Sequence, residues 1–263
     1  MNSGLSSWRA WRHRLMAVAA LAVLVACSTT APVDGVADGG DAEEAAQAAL
    51  AAATERLLRL PTPPAPWLPL PLPAKRFVPF EVQGDALRVR ADSSVSILRQ
   101  RLQPAVQQRV VLDFDWKVDG LPRQADLANV DKTDSPVGVM IAFDGDRSRW
   151  GPRTHRLSEL TRLLTGEELP YATLAYVWSE QYPVGTVIPN PRTDRIRKLV
   201  VDAGQAGLGQ WQHHRRDVQA DFRLAFGEEP GPISSVALMT DTDNTRSRLT
   251  AWYGPLRMEL APD

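Results

Sequence analysis

The chain has 263 residues, with 30 basic and 31 acidic side chains and one cysteine. So even a charge balance leaves no basic face to neutralise phosphates, and nucleic acid is not expected as a partner. A single thiol excludes an internal disulfide and a thiolate metal cluster, so stability has to come from a packed core.

Arg9, Arg12, His13 and Arg14 precede an apolar run from Leu15 to Ala26, and no acidic residue occurs before Asp34. A basic start, a short apolar stretch and a small residue at its end define a secretory signal over residues 1–26. The 12-residue run falls short of the roughly 20 residues that span hydrocarbon. Leu24-Val25-Ala26-Cys27 resembles the lipobox of bacterial lipoproteins, which makes Cys27 the expected lipidation residue, carrying palmitate-type acyl chains. The plainer alternative, a secretory signal with a coincidental cysteine, is disfavoured because Cys27 directly follows the apolar run and is the sole thiol. Several acyl chains hold a membrane more firmly than one myristoyl group does. Ser28, where an Asp would retain the protein at the inner membrane, favours the outer membrane facing the periplasm by the same resemblance. Cleavage would remove three arginines and no acid, leaving 27 basic against 31 acidic residues, a net charge of −4.

Residues 28–40 are small, acidic and glycine-containing, as a solvated tether would be. Asp41 to Leu60 reads as a helix, with Asp41 as N-cap, Glu43 and Glu44 in the first turn and an alanine-rich body. Its large apolar residues, Leu50, Leu57, Leu58 and Leu60, come late, so alone it is marginal. Seven of the 13 residues from Pro61 to Pro73 are proline, which excludes helix and central strand and favours an extended spacer; a proline-rich ligand for a partner is the less favoured alternative. Residues 27–76 are therefore expected to form a lipidated tether, an Ala-rich helix and a Pro-rich linker.

From Phe77 short strands take over. Leu87, Val89 and Ala91 alternate with charged neighbours, and Leu112, Phe114 and Trp116 alternate with Asp113, Asp115 and Lys117. Val137 to Phe143 is nearly all apolar, as a strand covered on both faces would be. Ala172 to Trp178, Ile196 to Val201, Trp211 to Val218, Ile233 to Met239 and Thr250 to Leu260 complete the series. Leu157 to Leu164, ending at Gly166, and Asp221 to Phe226, ending at Gly227, read as short helices. This spacing predicts an all-β, antiparallel sandwich over residues 77–260.

Asp115-Trp116-Lys117-Val118, Tyr176-Val177-Trp178, the loop from Pro183 to Pro191, Phe226-Gly227, Ala237-Leu238-Met239, the run from Thr240 to Thr245, and Trp252-Tyr253-Gly254 occur in this order. Together they resemble the DUF3047 family from about Phe77 to Leu260. The resemblance implies a bacterial envelope protein of unknown function, with a jelly-roll sandwich related to carbohydrate-binding modules. Family members often carry a Glu shortly after the tryptophan matching Trp211, about where this chain has His214.

Asp241, Asp243 and Asn244 form the sharpest polar cluster. They suit a loop whose Asx side chains bond their own backbone, or a structural Ca²⁺ held by hard oxygen ligands. Paired carboxylates for glycoside hydrolysis need roughly 5–10 Å between them; Asp241 with Asp243, or either with Asp113 or Asp115, are the candidates. No proton donor is evident in the pattern, so catalysis ranks behind binding. His213 and His214 are adjacent and fall on opposite faces of a strand, which disfavours a shared zinc. Most strand aromatics fill a core, whereas Trp211, between Gln210 and Gln212, is the best exposed candidate for a sugar platform. The rigid loop ending near Asn190 is a further place for ligand contacts. Trp211, Asn190, Asp241 and Asp243 are thus the candidate ligand residues. The expected function is a non-catalytic module for a glycan or other envelope ligand, with no cofactor beyond a structural Ca²⁺. A polysaccharide hydrolase and an assembly partner of other envelope proteins are the alternatives.

Overall fold

The structure is a computed structural model that describes residues 39–61 and 65–261. The signal segment, Cys27 and its lipidation lie outside the described residues.

Two sheets pack face to face as a jelly-roll-like β-sandwich. The strands are β1 (Leu58–Arg59), β2 (Leu68–Pro69), β3 (Glu81–Gln83), β4 (Ala86–Asp92), β5 (Val95–Val106), β6 (Val110–Val118) and β7 (Ser135–Phe143). They continue with β8 (Ala172–Ser179), β9 (Val187–Asn190), β10 (Thr193–Ala203), β11 (Gln212–Asp217), β12 (Ile233–Asp241) and β13 (Arg248–Leu260). The helices are α1 (Gly39–Leu57), α2 (Pro152–Thr165) and α3 (Val218–Phe226). One sheet runs β11-β6-β13-β4-β3 with β1 beside β13, and the other runs β2-β5-β12-β7-β8-β10-β9. Most pairs are antiparallel, but β10 lies parallel to β8 because β9 intervenes in the chain and pairs with the far side of β10.

The alternation along β6 explains the layering. Leu112, Phe114 and Trp116 are buried between the sheets, while Asp113, Asp115 and Lys117 point outward. From the second sheet Val139, Ile141, Leu174, Tyr176 and Trp178 meet them. Both faces of β7 and β8 are covered: Ala175 and Val177 lie under Leu127, and Met140 lies among Leu70, Leu72 and Met239. That double burial is why these strands read as continuous apolar runs.

Polar groups pin the sheets together. Asp202 of β10 accepts from Trp116 Nε1 at 2.5 Å and lies 2.9 Å from His214 Nε2. Arg216 grips Asp221 with two nitrogens at 2.8 and 2.6 Å, and Tyr176 donates to the same carboxylate at 2.9 Å. These bonds tie β6, β11 and α3 to the second sheet.

The expected stalk is corrected in part. The late leucines of α1 are its docking end: Ala53 and Leu57 are buried, and Leu58 pairs with Leu256 of β13. The helix stops at Leu57 instead of Leu60 because Leu58 and Arg59 join the sheet. Residues 65–72 do not form a free spacer. Trp67 is buried, Leu68 and Pro69 pair with β5, and Leu70 N donates to Ile97 O at 2.9 Å. An edge strand tolerates proline because its ladder can use the alternate residues. No helix among the described residues is long and apolar enough to cross a membrane.

Candidate functional site

An open groove of about 520 Å³ lies on the outer face of the β11-β6-β13 sheet, lined by Gln83, Asp115, Lys117, Trp211, His213 and Trp252. Strand register assembles it. Lys117 of β6 stands opposite Trp252 of β13, and Asp115 stands opposite His213 of β11. The Lys117 ammonium lies 4.4 Å from the Trp252 ring centroid and 5.3 Å from that of Trp211. His213 Nδ1 is 2.7 Å from Asp115 Oδ1. Trp252 Nε1 donates to Gln83 Oε1 at 2.8 Å, which fixes the indole plane.

Two glycines place the second indole. Gly209 has a φ of 74° and donates to Val118 O at 2.8 Å, turning the chain back over the end of β6 just before Trp211. The β13 ladder shifts register between Tyr253 and Leu256, and Gly254 lies in that bulge. A Cβ on Gly254 would stand 2.9 Å from Asp115 Cβ and 3.2 Å from Trp211 Cζ3. Only a bare backbone lets Trp211 settle against the sheet, where it remains 38% exposed.

This groove holds Trp211 and none of the other three candidate ligand residues. Asn190 lies at the edge of the other sheet, where its amide oxygen accepts from Arg192 N at 2.9 Å. Asp241 follows Ala237 and Met239 on the outer face of that other sheet, since Thr240 points inward to Tyr253. Asp113 and Asp115 therefore face away from Asp241 and Asp243, and the two sets cannot flank one sugar.

Asp241 and Asp243 do come together, with Asp134 as a third carboxylate, their oxygens within 4.8 Å of one another. Asp134 accepts from Asn244 N at 3.2 Å, Thr245 N at 2.8 Å and Thr245 Oγ1 at 2.6 Å, closing the turn between β12 and β13. Asn244 Nδ2 donates to Thr133 Oγ1 at 3.2 Å, and Lys75 forms an ion pair with Asp243. Burial, reinforced by the charges of Asp134 and Asp243, pushes the Asp241 carboxyl well above the usual carboxylate range. Burial also brings the nearby Lys198 ammonium down to about 8, and its Nζ donates to Leu127 O at 2.9 Å. Three hard oxygen donors suit Ca²⁺, while Lys75 already supplies a positive charge at Asp243. A raised carboxyl pKa, of which the sequence shows no sign, is thus present at Asp241.

Of the groove residues, the sequence singles out Trp211 for sugar stacking, Asp115 only as one half of a carboxylate pair and His213 only as a disfavoured zinc ligand, while Trp252 and Lys117 carry no site assignment. The period-2 alternation of β13 carries the signal: Ala251 and Tyr253 are core residues, so Trp252 faces out. His214 lies on the inner face of β11, against Phe114 and Trp116, and so away from the groove.

Among solved structures, the chain is similar to the xyloglucanase domain of NopAA, a type three effector from Sinorhizobium fredii, at 6% identity and a TM-score of 0.38, over 78% of this chain and 92% of that one. It is similar to the endo-1,4-β-glucanase CelB2 at 10% identity and a TM-score of 0.36, over 76% and 89%. A family 12 xyloglucanase from Bacillus licheniformis matches at 8% identity and a TM-score of 0.32, over 73% and 78%. No curated protein matches the chain significantly. Residues 65–257 match the family described as "Protein of unknown function (DUF3047)", and the chain belongs to that family.

Proposed function

We propose that this protein is a lipid-anchored envelope protein whose sandwich binds a glycan, without cleaving it, in the Trp211–Trp252 groove. The observation that carries this reading is the pair of tryptophans on one open sheet face, flanking a lysine with a carboxylate, an imidazole and an amide beside them. Sugar rings offer C–H faces to indoles and hydroxyls to such polar groups, and a groove of this kind fixes orientation with few contacts. The anchor rests on the Leu24-Val25-Ala26-Cys27 sequence and the apolar run before it. The test is a glycan-array screen of the full chain, repeated with Trp211→Ala and Trp252→Ala. Retention of a defined set of glycans, lost in both variants, is the expected result. Glycan binding that survives both substitutions would overturn the assignment of the groove.

A polysaccharide hydrolase working through Asp241 is the second reading, favoured by one observation: Asp241 meets Asp134 and Asp243 with carboxylate oxygens within 4.8 Å, where burial raises its pKa in the direction a general acid needs. Release of reducing ends from a bound polysaccharide, abolished by Asp241→Asn, would establish it in place of the binding module.

A further inference from the structure

Helix α2 is mounted with three of its four leucines facing solvent. Hydroxyls make the buried and part-buried side-chain hydrogen bonds of this helix: Thr154 Oγ1 lies 3.2 Å from Thr193 Oγ1 and donates to Asp194 Oδ1 at 3.3 Å, and Ser158 Oγ accepts from Leu169 N at 3.1 Å. Thr154 and Ser158 are the buried residues of this helix. On the opposite side Leu160, Leu163 and Leu164 are 52%, 76% and 60% exposed. At 100° per residue these three leucines share one arc with Arg153 and Arg156. The helix carries three arginines against one glutamate, and among the described residues none of Arg153, Arg156 and Arg162 has an ion-pair partner. Arg153 donates only to the Pro191 carbonyl, at 3.3 Å.

A solvent-facing cluster of large apolar residues marks a docking surface, and its charge selects the occupant. Leucines interleaved with unpaired arginines match a bilayer interface, where leucines enter the acyl boundary and guanidinium groups reach lipid phosphates. The geometry points to α2 as a peripheral membrane-docking helix that recognises anionic lipid. Such a contact would orient the sandwich against the bilayer, independently of any glycan in the Trp211–Trp252 groove.

The test uses the full chain with Cys27→Ser, so that a single new cysteine, Leu163→Cys, carries an environment-sensitive dye. A dye on Glu180→Cys, on an exposed loop, serves as reference. The protein is mixed with vesicles of phosphatidylcholine alone or with about one third phosphatidylglycerol, the lipid whose surface charge attracts basic residues. The expected result is a blue shift at position 163 with the anionic vesicles only, none at position 180, and an affinity reduced about tenfold or more by Arg153→Glu with Arg156→Glu. Leu160→Cys gives an independent label site should the charge reversal impair folding. No shift at either 160 or 163 would overturn the proposal, as would an equal shift with uncharged vesicles. A shift without vesicles that grows with protein concentration would assign the face to a second copy, and a concentration-independent one would assign it to residues 1–38; either contradicts lipid docking.

Discussion

Lys117 and Trp252 face each other directly across the β6–β13 ladder, the ammonium 4.4 Å from the indole centroid. The lysine thus sits between two aromatic platforms, close to any sugar that stacks there. Lys117→Met keeps an aliphatic stem against the rings and removes the charge. Calorimetric titration of a bound glycan is expected to show about a threefold weaker affinity, the scale of a partly exposed cation–π contact. Unchanged affinity would remove the cation from recognition.

Gly254 is the floor under Trp211. Gly254→Ala puts a methyl group within 2.9 Å of Asp115 Cβ and 3.2 Å of the Trp211 ring. The indole must tilt away, and overpacking of this kind costs about 1–3 kcal/mol. Thermal unfolding is expected to show the loss of stability, and Trp211 fluorescence is expected to shift to the red as the ring gains water.

Asp241 gives the protein a pH dependence of defined sign. Its carboxyl pKa is raised in the folded chain above the ordinary value of 3.8. The folded state therefore holds this proton more tightly than the unfolded state. The resulting stability is fully present below the ordinary carboxylate range and is lost as pH rises through the raised pKa. Asp241→Asn, which stays neutral, is expected to flatten this fall, and melting temperatures measured across the acidic to neutral range check it. An unaltered pH profile would contradict the burial argument.

Asp134 closes the β12–β13 turn with three accepted hydrogen bonds. Asp134→Ala removes the acceptor of three part-buried donors, at up to about 1–3 kcal/mol for any of them that water does not reach. A lowered melting temperature is expected in chelator and in Ca²⁺ alike, because Lys75 already neutralises charge at Asp243. A native protein whose melting temperature rises with added Ca²⁺ would instead show a bound cation.

The sandwich is legible in the sequence wherever one face is buried and the other wet. β6 declares itself in this way, and β7 and β8 do so by being apolar throughout. β5 does not, because Ser96 and Gln100 occupy buried positions beside Leu98 and Leu102 and blur the alternation. Residues 65–72 mislead for a different reason. Their prolines suppress every strand signal, yet Leu68 and Leu70 suffice for an edge pairing. In the sequence the groove is legible at Trp211, and at Asp115 only as a candidate for a carboxylate pair that the fold does not form. Asp115 and Lys117 share one face of β6, but Trp252 and His213 lie more than ninety residues further on and join them only through the pairing of β6 with β13 and β11. The bulge at Gly254 that brings Trp211 over them depends on a partner strand that no local pattern reveals. Asp134 likewise meets Asp241 and Asp243 only through the fold.

In the proposed binding mode Trp211 and Trp252 receive the ligand. The chain has eight tryptophans, each with an indole N–H that reports separately in a ¹⁵N-resolved spectrum. Titration of the labelled protein with envelope-derived oligosaccharides is the most direct measurement. Saturable movement of the Trp211 and Trp252 signals, with buried Trp116 and Trp178 unmoved, is the predicted result. Eight stationary signals, or movement confined to other tryptophans, would contradict it.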